Sequence, residues 1–131
     1  MNSKILVIED NEQNMYLTTY ILEKNGYEVL QATTGVAGIQ SAGLNRPHLI
    51  ILDIQLPEMD GYAVARELKR GAQTAGIPTV AVTSHAMVGD REAVLAAGCD
   101  GYLEKPINPD TFVSSIKQFL NPDSGNEGKE P

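Results

Sequence analysis

Residues 49–53 read Leu-Ile-Ile-Leu-Asp, LIILD. Four consecutive large aliphatics leave no polar face, so the segment has neither the period-two alternation of a half-exposed strand nor a helical stripe. A short run of this kind fits a strand buried on both faces, the usual state of a strand inside a parallel sheet. The run stops at a carboxylate, Asp53. Working outward, the same pattern recurs. Ile5 to Ile8 is aliphatic and ends at Glu9 and Asp10; TVAV at 79–82 ends at Thr83 and Ser84. Two weaker runs, Glu28 to Ala32 and Gly101 to Leu103 leading into Glu104 and Lys105, complete a set of five.

Amphipathic segments lie between these runs. Leu17, Tyr20 and Ile21 are spaced as one helical stripe, Val64, Ala65 and Leu68 as another, and Phe112, Val113, Ile116, Phe119 and Leu120 as the clearest. Asn108 followed by Pro109 predicts the start of the last helix, and Gly26, Gly71 and Gly98 are placed as helix stops. Val36 to Leu44 and Met87 to Ala97 read as two further helices. Five strands alternating with five helices predict an α/β fold, a doubly wound parallel sheet of flavodoxin-like (βα)5 type with strand order 2-1-3-4-5. The pattern alone leaves a split arrangement or a barrel fragment open. The domain is expected over residues 3–120. Residues 121–131, NPDSGNEGKEP, lack any aliphatic or aromatic side chain and are expected to form a disordered tail.

The chain has 131 residues, enough for one domain with a continuous core. Its 17 acidic and 10 basic residues give a formal net charge of -7. Nucleic-acid binding draws its affinity from Lys and Arg neutralising phosphates, so direct nucleic-acid binding is not expected. Docking on an anionic membrane is disfavoured for the same reason. The opening MNSKILVIED reads as a strand rather than a secretory leader, no apolar run has spanning length, and Cys99 stands alone. A cytoplasmic location follows as the expectation. Cys99 reads as a small buried residue near a helix end.

In an open α/β sheet, ligands bind beyond the carboxyl ends of the strands, where the winding reverses direction. The expected strand order brings Glu9, Asp10 and Asp53 together there, with Thr83 and Lys105 arriving from strands 4 and 5. Three crowded carboxylates repel one another. A hard divalent cation relieves this, and few protein ligands with room for water and phosphate favour Mg²⁺. A carboxylate beside such an ion can attack phosphorus to give an aspartyl phosphate. The Lys105 ammonium and Thr83 hydroxyl are suited to the phosphoryl oxygens.

The chain resembles the receiver domains of two-component response regulators over about residues 3–120. The resemblance rests on VIEDN at 7–11, ILDIQLPEMDG at 51–61, AVTSHA at 81–86 and YLEKPI at 102–107, in order and at this spacing. It is similar above all to stand-alone regulators and to receivers attached to hybrid histidine kinases. The resemblance implies that Asp53 is the phosphoacceptor and that Glu9 and Asp10 form the acidic pair holding Mg²⁺. It implies that Gln55 offers its backbone carbonyl to the metal, and that Thr83 and Lys105 are the switch hydroxyl and the phosphate-pairing lysine. Tyr102 matches the aromatic that turns inward on activation, and the bond matching Lys105–Pro106 is cis in the family. Glu9 departs mildly from the more usual Asp. Implied partners are a histidine kinase or histidine phosphotransferase and a downstream protein target, signalled through the face formed by roughly residues 86–120. Such domains promote their own phosphorylation and slow dephosphorylation, without being enzymes on other substrates.

Two other chemistries compete. A small-molecule phosphatase with an aspartyl nucleophile usually needs a second Asp two residues later; Gln55 stands there. A flavodoxin-like nucleotide carrier needs a phosphate-binding loop after strand 1, where Glu9-Asp10-Asn11-Glu12 would repel phosphate. His85 is placed as a loop residue at the mouth of the site, Gly61 as serving loop geometry, and Met59 and Met87 as packing residues.

Overall fold

Two aliphatic strands form the centre of the fold. In the computed structural model, which describes residues 3–56, 59–83 and 90–120, β1 (Lys4–Ile8) and β3 (Leu49–Asp53) pair in parallel. β2 (Glu28–Ala32) flanks β1; β4 (Thr79–Thr83) and then β5 (Gly101–Glu104) extend the sheet beyond β3. The order is β2-β1-β3-β4-β5, with every neighbouring pair parallel. This is the expected flavodoxin-like order, so the split and barrel alternatives fall away.

Alternate side chains of the buried strands feed two cores. Leu6, Ile8, Ile50, Leu52 and Ala81 project onto one face against Val64, Ala65, Leu68 and Val94. These come from α3 (Gly61–Arg70) and α4 (Asp90–Ala96), and α2 (Gly35–Asn45) adds Ala42. Ile5, Val7, Leu49, Ile51, Val80 and Val82 project onto the other, against Met15, Ile21 and Leu22 of α1 (Glu12–Lys24) and Phe112 and Ile116 of α5 (Pro109–Leu120). Each fully buried Leu or Ile contributes about 1.5–3 kcal/mol by leaving water.

Because β1 and β3 are apolar on both faces, burial alone does not penalise a one-residue slip. Hydrogen bonds at the strand ends fix the register instead. At the amino end, Asp100 Oδ2 accepts from Thr79 N at 2.8 Å and His48 Nδ1 from Lys4 N at 2.9 Å. At the carboxyl end, Glu9 N donates to Ala32 O at 2.9 Å, Ile54 N to Val82 O at 3.1 Å and Lys105 N to Thr83 O at 2.8 Å. A slip would move a site residue by about 3.3 Å, so these bonds also place the site.

Helix starts follow capping chemistry. Asn11, Thr34 and Asp60 accept from Asn14 N, Ala37 N and Ala63 N at 2.9, 3.1 and 2.8 Å. Asn108 Oδ1 accepts from Asp110 N at 2.9 Å, as expected before Pro109. Gly26 and Gly98 follow α1 and α4 with φ of 91° and 112°, and Gly71 caps α3.

One stripe is corrected. Of the residues assigned to the inner face of α1, only Ile21 is buried; Leu17 and Tyr20 are 37% and 51% exposed. The buried set is Met15, Thr18, Ile21 and Leu22. Tyr20 instead stacks on Tyr16 at the surface, ring centroids 6.3 Å apart, with the Lys24 ammonium 5.7 Å from the Tyr20 centroid. The helix expected over Met87–Ala97 is seen as α4 from Asp90. His85, Met87 and the tail at 121–131 lie outside the described residues.

Candidate functional site

The chain leaves β1 for one side of the sheet and later returns to build the other side, so the carboxyl ends of β1 and β3 flank a crevice. Glu9 and Asp10 follow β1 directly, and Asp53 is the last residue of β3. Glu9 and Asp53 are buried, at 5% and 4% exposure, whereas Asp10 is exposed at the rim. One carboxylate oxygen from each of the three lies within 4.8 Å of the others. The predicted convergence of acids is present.

Lys105, just past β5, places its ammonium between two of them. Nζ lies 3.0 Å from Glu9 Oε1 and 3.4 Å from Asp53 Oδ2. The remaining oxygens are also held: Asn11 N donates to Glu9 Oε2 at 3.2 Å and Gln55 N to Asp53 Oδ1 at 2.9 Å. With oxygens no more than 4.8 Å apart, Glu9 and Asp53, when both ionised, repel each other by about 3.5 kcal/mol or more at an effective dielectric near 20. One ammonium faces two carboxylates, so this buried group keeps one negative charge in excess when both are ionised, and among the described residues no ion pair is made by Asp10 beside them. Burial pushes the Glu9 carboxyl above its ordinary value; the Lys105 contact opposes this and the neighbouring Asp53 charge adds to it.

The cleft above the acids encloses about 590 Å³ and is lined by Glu9, Asp10, Asn11, Asn14, Asp53, Gln55, Lys105 and Pro106. Lys105–Pro106 is cis, as the resemblance implied. Thr83 ends β4, one register step beyond the Val82 that pairs with Asp53, and is 3% exposed. Its carbonyl holds the Lys105 amide, which ties the β4 end to the lysine. Alternation along β4 and the pairing of Ala81 with Tyr102 put Thr83 and Tyr102 on the same face of the sheet. Tyr102 is half-buried against that core. Cys99 is remote from the cleft and buried; burial foremost, then the Asp100 charge, push its thiol up to about 11.

Sequence reasoning did not single out Asn11 and Asn14 as lining residues. Their signal was the capping position after the acidic pair, which sets α1 against the cleft.

A buried strand-end carboxylate, two further carboxylates, a lysine and a strand-end threonine thus lie at the carboxyl edge of the sheet. The model of the response regulator receiver domain matches residues 5–117. The chain belongs to the response regulator receiver family. The polar-differentiation response regulator DivK of Brucella anthropi is 40% identical over 120 residues, covering 92% of this chain and 98% of that protein. The receiver domain of the sensor histidine kinase PA1611 from Pseudomonas aeruginosa superposes with a TM-score of 0.86 at 31% identity, over 92% of this chain and 99% of that one; its structure has a magnesium ion coordinated in the active-site cleft. A CheY-like receiver domain from Methanospirillum hungatei superposes at 0.87 with 29% identity, over 96% and 99% of the two chains. The protein is thus a signalling receiver of two-component systems, a family that works with histidine kinases or phosphotransfer proteins and downstream targets. The phosphatase and nucleotide-carrier readings give way to it. No helix among the described residues is long and apolar enough to cross a membrane.

Proposed function

We propose that Asp53 accepts a phosphoryl group from a phosphohistidine on a histidine kinase or histidine phosphotransferase, and that the resulting charge is read by a downstream protein. The observation that carries this reading is the Asp53 carboxylate itself. It is buried at a strand end, fixed by Gln55 N on one oxygen, faced by the Lys105 ammonium on the other, and opens on a cleft with two more carboxylates.

Three carboxylates with an oxygen each within 4.8 Å of the others suit a small hard cation. Asp10, Asp53, Glu9 and the backbone carbonyl of Gln55 are the groups that would hold Mg²⁺, which supplies charge neutralisation for phosphoryl oxygens when bound. The chain's own residues do the rest. An Asp53 oxygen forms a bond to phosphorus as the phosphorus–nitrogen bond to the donor imidazole breaks, and the imidazole leaves with a proton from solvent. Lys105 exchanges its carboxylate partners for the phosphoryl oxygens, and the Thr83 hydroxyl donates to another. Tyr102, on the same sheet face as Thr83, follows inward. The face formed by α4, β5 and α5, roughly residues 86–120, then presents a different surface to its target, a local charge event biasing a two-state element. The domain doing this spans residues 3–120, works in the cytoplasm without direct nucleic-acid or membrane contact, and catalyses only its own phosphorylation and slow dephosphorylation.

The test is intact-protein mass after incubation with acetyl phosphate, with and without Mg²⁺, for wild type and Asp53→Asn. One added phosphate that needs Mg²⁺ and is absent from the variant is expected. Undiminished labelling of Asp53→Asn would remove Asp53 from the role.

A further inference from the structure

Gly61 opens α3 and is buried. Its φ does not lie in the left-handed region, so backbone conformation does not require glycine there. Space does. A Cβ at this position would lie 2.4 Å from Ile54 Cα and 2.9 Å from Asp53 O. Both are backbone atoms, so no rotamer change relieves the overlap. The other described glycines packed this tightly press on side chains: Gly38 on Ile8, Gly35 on Val64, Gly101 on Phe119, Gly98 on Lys69 and Gly71 on the Thr74 hydroxyl. Gly61 alone of these meets the main chain of the candidate phosphoacceptor, and its amide also donates to Ile54 O at 2.9 Å.

We propose that Gly61 is a positioning residue for the acidic site: α3 abuts the backbone of Asp53 and Ile54 through it and so fixes where the Asp53 carboxylate stands. The inference rests on the reading of Asp53 as phosphoacceptor. Asp53 is clamped from three sides. Pairing with β4 holds it in the sheet, with Ile54 N donating to Val82 O at 3.1 Å. Gln55 N holds Oδ1. The start of α3, anchored by the Asp60 cap on Ala63 N, closes the third. A methyl group must push one of these away. If the strand end yields, the carboxylate leaves its place opposite Lys105 and Glu9. If α3 yields, the Gly61–Ile54 bond opens and the turn carrying Gln55 N loosens. Either way the Asp53 oxygens lose their fixed positions.

The experiment compares Gly61→Ala with Gly101→Ala, a glycine at the other end of the sheet whose added Cβ would meet the Phe119 ring at 2.4 Å. Thermal midpoint, Mg²⁺ affinity by calorimetry and the rate of phosphate incorporation from acetyl phosphate are measured for both and for wild type. Gly61→Ala is expected to lose about tenfold in Mg²⁺ affinity and about a hundredfold in rate, with Gly101→Ala close to wild type in both at a similar or lower midpoint. Equal effects of the two variants would overturn the proposal and leave Gly61 a packing residue only. Should Gly61→Ala not fold, the measurements are made in trimethylamine N-oxide, which favours the compact state; a variant still unfolded there would also overturn it, since the glycine would then be needed by the fold and not by the site. Wild type that takes up neither Mg²⁺ nor phosphate would be a failure of the phosphoacceptor reading itself, separate from either result.

Discussion

Each end of the sheet carries a lysine facing a carboxylate, and the two pairs differ in what surrounds them. At the amino end, Lys69 Nζ lies 3.3 Å from Asp100 Oδ2, with side chains 27% and 45% exposed. The charges match one to one, and each partner also holds backbone: Lys69 donates to Ala75 O and Asp100 accepts from Thr79 N. At the carboxyl end, Lys105 is 13% exposed and faces Glu9 and Asp53, at 6% and 4%, with Asp10 beside them. The first pair is electrically closed and anchors a register. The second keeps an excess of buried negative charge that a structural role alone would not maintain, since unbalanced buried charge is costly. On the function proposed above, the excess at one end, against the balance at the other, is where a cation and a phosphoryl group would be held.

The largest expected difference between the ends is chemical. Asp53→Asn abolishes phosphate incorporation, whereas Asp100→Asn leaves it near the wild-type level; an Asp100 variant that lost labelling as completely would erase the distinction. The second difference is Mg²⁺-dependent stability. At a hundredfold excess over its dissociation constant, Mg²⁺ stabilises the folded state by about 2.7 kcal/mol, or about 10 °C in midpoint for a chain of this size. Calorimetric scans should show that rise in wild type and Asp100→Asn and not in Asp10→Asn or Asp53→Asn. The third concerns the lysines without metal. Lys105→Met strands two buried carboxylates and costs about 3 kcal/mol, largely recovered on adding Mg²⁺. Lys69→Met breaks a half-exposed pair and costs about 1 kcal/mol, with no recovery. Urea unfolding with and without Mg²⁺ separates the two; equal costs would mean that Lys105 is no more buried in function than Lys69.

The closed pair was invisible in the sequence and the open one was not, for a physical reason. LIILD and ILVIED each end an aliphatic run on an acid, and a strand order fixed by βα alternation brings those ends together. Strand-end position is a one-dimensional property, so Asp53, Glu9, Thr83 and Lys105 could be placed by counting. Lys69 and Asp100 meet only because a helix end and a strand start come close in space, with no local pattern to announce it. The same limit explains α1, where Tyr20 looked like a core residue by spacing and instead satisfies its ring against Tyr16 and Lys24 at the surface. It also explains Gly61, whose reading as a loop-geometry residue left out that the loop returns onto the backbone of Asp53, a distance no spacing rule contains.

The smallest expected effect sharpens the comparison within the open site. Glu9 is pushed above its ordinary value of 4.5 by burial, with Lys105 opposing and Asp53 assisting. A carboxyl whose folded-state pKa is raised binds its proton more tightly when folded. Its contribution to stability is therefore complete below 4.5 and is lost as pH rises through the raised folded value. In metal-free buffer, wild type should lose stability across that window, and Glu9→Gln, which has no proton to release, should lose less. Mg²⁺ should flatten the wild-type curve by favouring the ionised carboxylate. Urea midpoints measured across the acidic range with and without Mg²⁺ provide the check. Superimposable wild-type and Glu9→Gln curves would mean that the 3.0 Å contact with Lys105 outweighs burial. Glu9 would then be as electrically closed as Asp100, and the excess charge at the carboxyl end would reside on Asp10 and Asp53 alone.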